Sequence, residues 1–240
     1  MTRTDQDKAL FRLADTAAER SRLYLLLAAI FRQEPGSELI EHLRSEDFEQ
    51  LLHQAGFELG EEFSAKPLET IKEQLAEQFT RLFLGPGKHI SPHESVQLPN
   101  GSGTLWGKES VLVKRFIEAA GFNYDSDFNG IPDHVSVELD FLALLSTAEA
   151  NNWNCSDVDA AINVLEWQRD FISRHAGKWM PGFCAKVKAE ADLPFYEVFA
   201  GLLQGFLADE DAEIPVRLQQ ARQILSKSAP APSVTSPANP

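Results

Sequence analysis

Apolar residues recur at spacings of three and four along nearly every long segment of the chain, and sustained alternation is absent, so helices are expected throughout. The first runs from about Asp15 to Arg32, where Glu34-Pro35-Gly36 stops it, and a second covers Ser37 to Ala55. Leu68, Ile71, Leu75, Phe79, Leu82 and Phe83 make a stripe at helical spacing that ends at Gly85-Pro86-Gly87. A fourth helix is predicted from Gly107 to Ala120, capped by Gly121. After Pro132, the segment from Asp133 to Asn151 is apolar around much of its circumference through Val135, Val137, Leu139, Phe141, Leu142, Leu144 and Leu145, as a central buried helix must be. Further helices are expected at Ser156 to His175, Gly177 to Glu190, Pro194 to Ala208 and Ala212 to Ser226.

The pattern therefore predicts an all-α, single-domain bundle of about eight or nine helices over residues 15–226. Residues 1–14 form an N-terminal extension, and 227–240 a Pro/Ala/Ser-rich tail expected to be disordered. Two stretches interrupt the periodicity. Gly85 to Leu105 carries Gly85, Pro86, Gly87, Pro92, Pro99, Gly101 and Gly103, a loop of about 20 residues of the kind that is usually functional. Phe122 to Ile131 is a connector rich in Asn and Asp.

Composition narrows the function classes. A chain of 240 residues with 43% hydrophobic and 24% charged residues can bury one sizeable core and is not extensively disordered. Its longest apolar run, Leu23 to Phe31, is half the roughly 20 residues a membrane span requires, and residues 1–8 mix both charge signs without the apolar stretch of a secretory signal. A cytoplasmic location is expected. Cys155 and Cys184 lie in no metal-binding or redox spacing. A formal net charge of −14 disfavours nucleic-acid backbones and anionic lipid, and leaves two readings: simple solubility, or a basic partner.

No catalytic signature is complete. Gly101-Ser102-Gly103-Thr104-Leu105-Trp106-Gly107-Lys108-Glu109 lacks the spacing of a phosphate-binding loop, and no strand pattern precedes it. His89 with His93-Glu94, and His134 with Glu138, suggest a metal-dependent helical hydrolase as one alternative, although each group is short of ligands. A non-catalytic adaptor subunit is the other. The favoured reading is a non-enzymatic protein that binds another polypeptide and requires no cofactor or metal.

Two polar motifs at helix ends are unusual. Phe79-x-x-Leu82-Phe83-x-Gly85-Pro86 runs into Ser91-Pro92-His93-Glu94-Ser95, and Ile131-Pro132-Asp133-His134 opens the central helix. In this order, with Trp106-Gly107 between them, they resemble the signatures of the TorD/DmsD/NarJ family of molybdoenzyme maturation chaperones. His93 stands where a tyrosine is common in that family, and Gly130-Ile131 replace a Glu-Pro found in some members, which leaves the subfamily open.

The resemblance implies an all-helical cytoplasmic chaperone that binds the twin-arginine signal peptide and apo form of a molybdopterin-containing oxidoreductase. It would assist cofactor insertion and prevent premature export. Apart from the resemblance, the long loops leave both a monomer and a domain-swapped dimer open. Carried over by position, Phe79, Leu82, Phe83, Gly85, Pro86, Pro92, Glu94, Ser95, Trp106, Asp133 and His134 become the candidate client-binding residues. The residue chemistry adds Glu138: with Asp133 and Glu94 it offers carboxylates to guanidinium groups, while Phe79, Leu82 and Phe83 would line an apolar groove. Each has a structural alternative. Asp133 suits the first turn of a helix, the three apolar residues suit the core, and Gly85-Pro86 suits a helix stop.

Overall fold

The computed structural model describes residues 3–85, 87–124 and 130–228. Among these are eleven α-helices, nine of them of seven residues or more, slightly above the expected count. They are α1 (Arg3–Arg32), α2 (Ser37–Leu43), α3 (Glu46–Gln54), α4 (Glu61–Ala65), α5 (Leu68–Phe79), α6 (Glu94–Gln97), α7 (Lys108–Ala119), α8 (Val135–Asn154), α9 (Val158–Arg174), α10 (Ala176–Glu190) and α11 (Pro194–Ser228). No strand occurs among the described residues.

Helix α8 is the axis of the bundle, as its all-round apolarity requires. It lies along α1 on one side and α9 on another, while α11 packs on both α9 and α10. The α1–α8 contact is close because small residues meet there: the Ser21 hydroxyl donates to the Ala143 carbonyl at 2.9 Å. One continuous apolar core runs from Leu10 on α1 to Ala221 on α11.

Several boundaries differ from the sequence expectation, each for a local reason. The predicted second helix is two, because Ser45 interrupts it and caps α3, accepting from the Phe48 N–H. The first helix starts at Arg3, since Leu10 and Ala14 extend the buried stripe backward from Ala17. The two predicted C-terminal helices are one. The acidic run Asp209-Glu210-Asp211 reads as a break, yet Glu210 turns inward while Leu207, Ile214 and Leu218 continue the apolar face past Pro215. That helix reaches Ser228, and the predicted tail from 229 onward lies outside the described residues. Short α6 arises within the segment expected to be a loop, and short α4 lies between the second and third predicted helices.

Two buried polar assemblies sit in this core. In the first, Arg20 bridges four helices: its guanidinium donates to Glu149 at 2.6 Å, Gln168 at 3.0 Å and Glu210 at 3.0 Å, while Trp153 Nε1 and Gln168 Nε2 also donate to Glu149, and Arg217 and the Tyr24 hydroxyl to Glu210. The second assembly belongs to the motif region. No described helix is long and apolar enough to cross a membrane.

Candidate functional site

The stripe on α5 ends in a single turn of π-helix, Thr80–Leu84, which widens the backbone and turns Phe83 into the core. Phe79 and Phe83 stack edge to face at 5.0 Å between ring centroids, and Phe83 touches Phe31, Phe183 and Tyr196. Phe79, Leu82 and Phe83 are thus core residues, each no more than 4% exposed. Gly85 closes the turn in extended backbone; Pro86 lies outside the described residues.

From there the chain folds back, with the Ile90 N–H donating to the Leu82 carbonyl at 2.7 Å, and Pro92–Ser95 comes to lie against Asp133–Val135. The contact has the form of a one-residue antiparallel ladder between His93 and His134. The Val135 N–H donates to the Pro92 carbonyl and the Glu94 N–H to the Asp133 carbonyl, both at 2.9 Å. The fully buried Asp133 side chain then ties three elements together. One carboxylate oxygen accepts from the Ser95 N–H at 2.8 Å, the other from the Ser110 hydroxyl at 2.6 Å. Asp133 therefore caps α6 across the fold and anchors α7, whereas the N-cap of its own helix is His134, whose Nδ1 accepts from the Ser136 N–H at 3.1 Å.

Beneath this knot lie the buried carboxyls. Glu94, 2% exposed, faces His175 Nδ1 at 2.9 Å. Glu138, fully buried, accepts from the Trp179 indole N–H at 3.1 and 3.2 Å. Burial, reinforced by the neighbouring Glu94, holds the Glu138 carboxyl well above the usual range. The two imidazoles of the ladder pack edge to face at 4.9 Å. Burial pushes His134 down to about 3, helped by His93 and Arg32, and lowers His93 as well. Both rings are neutral near pH 7, which allows their contact.

Of the carboxyl groups predicted to face guanidinium, Asp133, Glu94 and Glu138 are buried with internal partners. Among the described residues no three His, Cys, Asp or Glu side chains form a metal-binding group, which corrects the hydrolase alternative built on His89, His93, Glu94, His134 and Glu138. His89 is exposed on the loop, and the others are committed to the contacts above.

Among the described candidates Trp106 is the most exposed, at 67%. Its backbone is left-handed at φ 61°, a strained conformation for a bulky residue. The next position must be glycine, because a Cβ at Gly107 would collide with the Ser102 side chain, which turns inward to donate to the buried Glu109 at 2.9 Å. The tight loop so formed presents Leu105, 49% exposed, and Trp106 side by side. Trp106, Val111, Lys114, Arg115, Glu118 and Pro132 edge a shallow cavity of about 240 Å³. Ser110, His175 and Trp179 complete the framework without any sequence signal, because their roles arise only where distant helices meet.

Comparison with known proteins identifies relatives of this chain. The family described as "Nitrate reductase delta subunit" matches residues 46–185, a stretch that contains both motifs. The "Chaperone protein TorD" of Vibrio cholerae is 28% identical over 138 residues, covering 57% of this chain and 60% of that protein. The proteins of the same name from Photobacterium profundum and Shewanella pealeana are 27% and 29% identical, covering 78% and 81% of this chain and 90% and 88% of theirs. A solved structure, "Crystal Structure Of A Putative Redox Enzyme Maturation Protein From Archaeoglobus Fulgidus", aligns with a TM-score of 0.47 at 23% identity, covering 79% of this chain and 93% of that one. The chain belongs to the TorD/DmsD/NarJ family of molybdoenzyme maturation chaperones, to which the nitrate reductase delta subunits also belong.

Proposed function

We propose that this protein is a cytoplasmic, non-enzymatic chaperone that binds the apo form and twin-arginine leader of a molybdopterin-containing oxidoreductase, holding it until its cofactor is inserted. The observation that carries the reading is the Leu105-Trp106 tip, an exposed apolar pair on a strained turn braced by a buried, hydrogen-bonded polar framework. Large apolar side chains held rigidly in solvent are characteristic of recognition surfaces, since tryptophan contributes contact area at little conformational cost. In this proposal the motif residues divide into two roles. Trp106 touches the client, while Asp133, Glu94, Ser95, His134 and Glu138 set the position of the loop that carries it, and Phe79, Leu82 and Phe83 anchor the turn before it.

The test is affinity capture of the tagged protein from its native host, with mass spectrometry of the retained material and a parallel capture from cells whose candidate client lacks its leader. Enrichment of a cofactor-free molybdoenzyme that depends on the leader, and that falls severalfold with Trp106→Ala, supports the proposal. No enrichment in cells shown to express molybdoenzymes overturns it.

A further inference from the structure

A second surface lies outside both motifs. Between α3 and α4 the chain forms a cavity of about 780 Å³, within the range of ordinary ligand-binding clefts. Its apolar part comprises Leu52, Phe57 and Leu59, and Phe57 is seated on α11 at Gly201, where a Cβ would come within 3.1 Å of the ring. Its rim carries Glu46, Glu49, Glu58 and Glu61, all solvent-exposed, and no Lys or Arg lines it. Among the described residues none of these four carboxylates pairs with a Lys or Arg. Glu46 accepts from Gln50, Glu49 from Ser64, and Glu58 faces His53 at 3.7 Å. The nearby cations are engaged elsewhere: Arg44 donates to the Lys66 carbonyl and lies over the Phe63 ring, and Lys66 pairs with Glu62 at 2.5 Å.

An apolar cleft ringed by uncompensated carboxylates is complementary to a segment that is both cationic and apolar. Guanidinium groups would meet the rim carboxylates while adjoining apolar side chains fill the cleft. The chain's own segment 229–240 holds no charged residue, and a second copy carries a net charge of −14, so neither supplies this chemistry. We infer that the α3–α4 cleft binds an arginine-bearing, apolar peptide segment of the partner. Resting on the chaperone reading, this assigns the basic part of the leader to α3–α4 and the Leu105-Trp106 tip to the rest of the client.

The probe is a synthetic peptide with two adjacent arginines followed by an apolar helical stretch, titrated by calorimetry into the full chain. A matched peptide with glutamines replacing the arginines is run beside it. The arginine peptide should bind the more tightly, and Glu46→Gln/Glu58→Gln/Glu61→Gln should weaken it about tenfold, leaving the glutamine peptide unaffected. Raised salt should mimic that loss, and Phe57→Ala should weaken both peptides. The control Glu73→Gln/Glu77→Gln/Glu213→Gln, with the same charge change on exposed positions elsewhere, should bind as the wild type does. Unchanged binding in the cleft variant, an equal loss in the control, or no arginine-peptide binding by the wild-type chain overturns the assignment. Leader-dependent client capture that survives the cleft substitutions would refute this site while sparing the chaperone reading; loss of all client capture by the wild-type chain would refute both.

Discussion

Replacing Asp133 with alanine should destabilise the motif region without changing its helical content. The substitution removes both acceptors of the knot, leaving the Ser95 N–H and the Ser110 hydroxyl buried without their partner. An orphaned buried donor costs about 1–3 kcal/mol; the hydroxyl can re-aim and sits at the low end, so the total is about 3–4 kcal/mol. For a chain of this size that lowers the melting temperature by roughly 6–15 °C. Asp133→Asn should lose far less, because the amide oxygen can accept from the Ser95 N–H while its NH₂ donates to the Ser110 oxygen. Thermal denaturation followed by circular dichroism gives the magnitude, and hydrogen exchange locates it, with protection expected to fall first in α6 and its flanks. A melting temperature lowered by less than about 3 °C, or exchange at Ser95 unchanged in the alanine variant, would refute the bracing role.

Three other substitutions test the buried polar groups. His134→Asn keeps an N-cap but removes a base whose folded pKa lies near 3, below its unfolded value. Because the unfolded chain takes up the proton first, wild-type stability falls as pH drops below about 6.5, and the variant should recover about 1–2 kcal/mol of the loss at pH 5 in urea titrations; identical pH profiles would count against it. Glu138→Gln replaces a carboxyl whose folded pKa is raised, so the wild type loses stability as pH climbs from about 4.5 through the folded value, and the amide should be more stabilising at pH 8 than at pH 5 by differential scanning calorimetry. The reverse ordering would show that Glu138 is ionised in the fold. Arg20→Met leaves Glu149, 1% exposed, without a cationic partner and Glu210 with Arg217 alone, and should cost about 3–5 kcal/mol by chemical denaturation; a loss below about 1 kcal/mol would mean that the cluster is dispensable.

How much of this was legible in the sequence follows from the range of each interaction. Helix periodicity is local, so α5, α7, α8, α9 and α10 lie within a few residues of the reading, and the cap at Gly121, with φ 94°, is where its glycine implies. Boundaries failed where a long-range contact overrode the local pattern. Glu210 looks like a surface acid until Arg20 arrives from α1 to join Arg217 of its own helix, and only then does α11 read as one helix. The motifs were legible as motifs, and Trp106-Gly107 as an element between them, but its strained turn and the partners of Asp133 were not, since Ser95 and Ser110 lie 38 and 23 residues away. The acid-rimmed cleft left no signal either. Glu46, Glu49, Glu58 and Glu61 look like ordinary surface charge until α3 and α4 are set facing each other.

The burial of the motif carboxyls bears on how clients are distinguished. A side chain that is fully enclosed and internally bonded, as Asp133 is, cannot vary its contacts to suit one client or another; it can only fix a shape. On the proposed chaperone reading, specificity resides in side chains that are exposed and free of such obligations, where a substitution changes recognition at little cost to the fold. Leu105, Trp106 and the rim of the α3–α4 cleft meet that condition, and the knot around Asp133 does not. Exchanging the exposed tip and the cleft rim between two members of the family should therefore transfer client preference, whereas exchanging the buried motif residues, which only position that tip, should change stability and overall affinity without transferring preference. Competition between two leader peptides for the exchanged proteins measures this, and a preference that travels with the buried residues would place recognition back inside the knot.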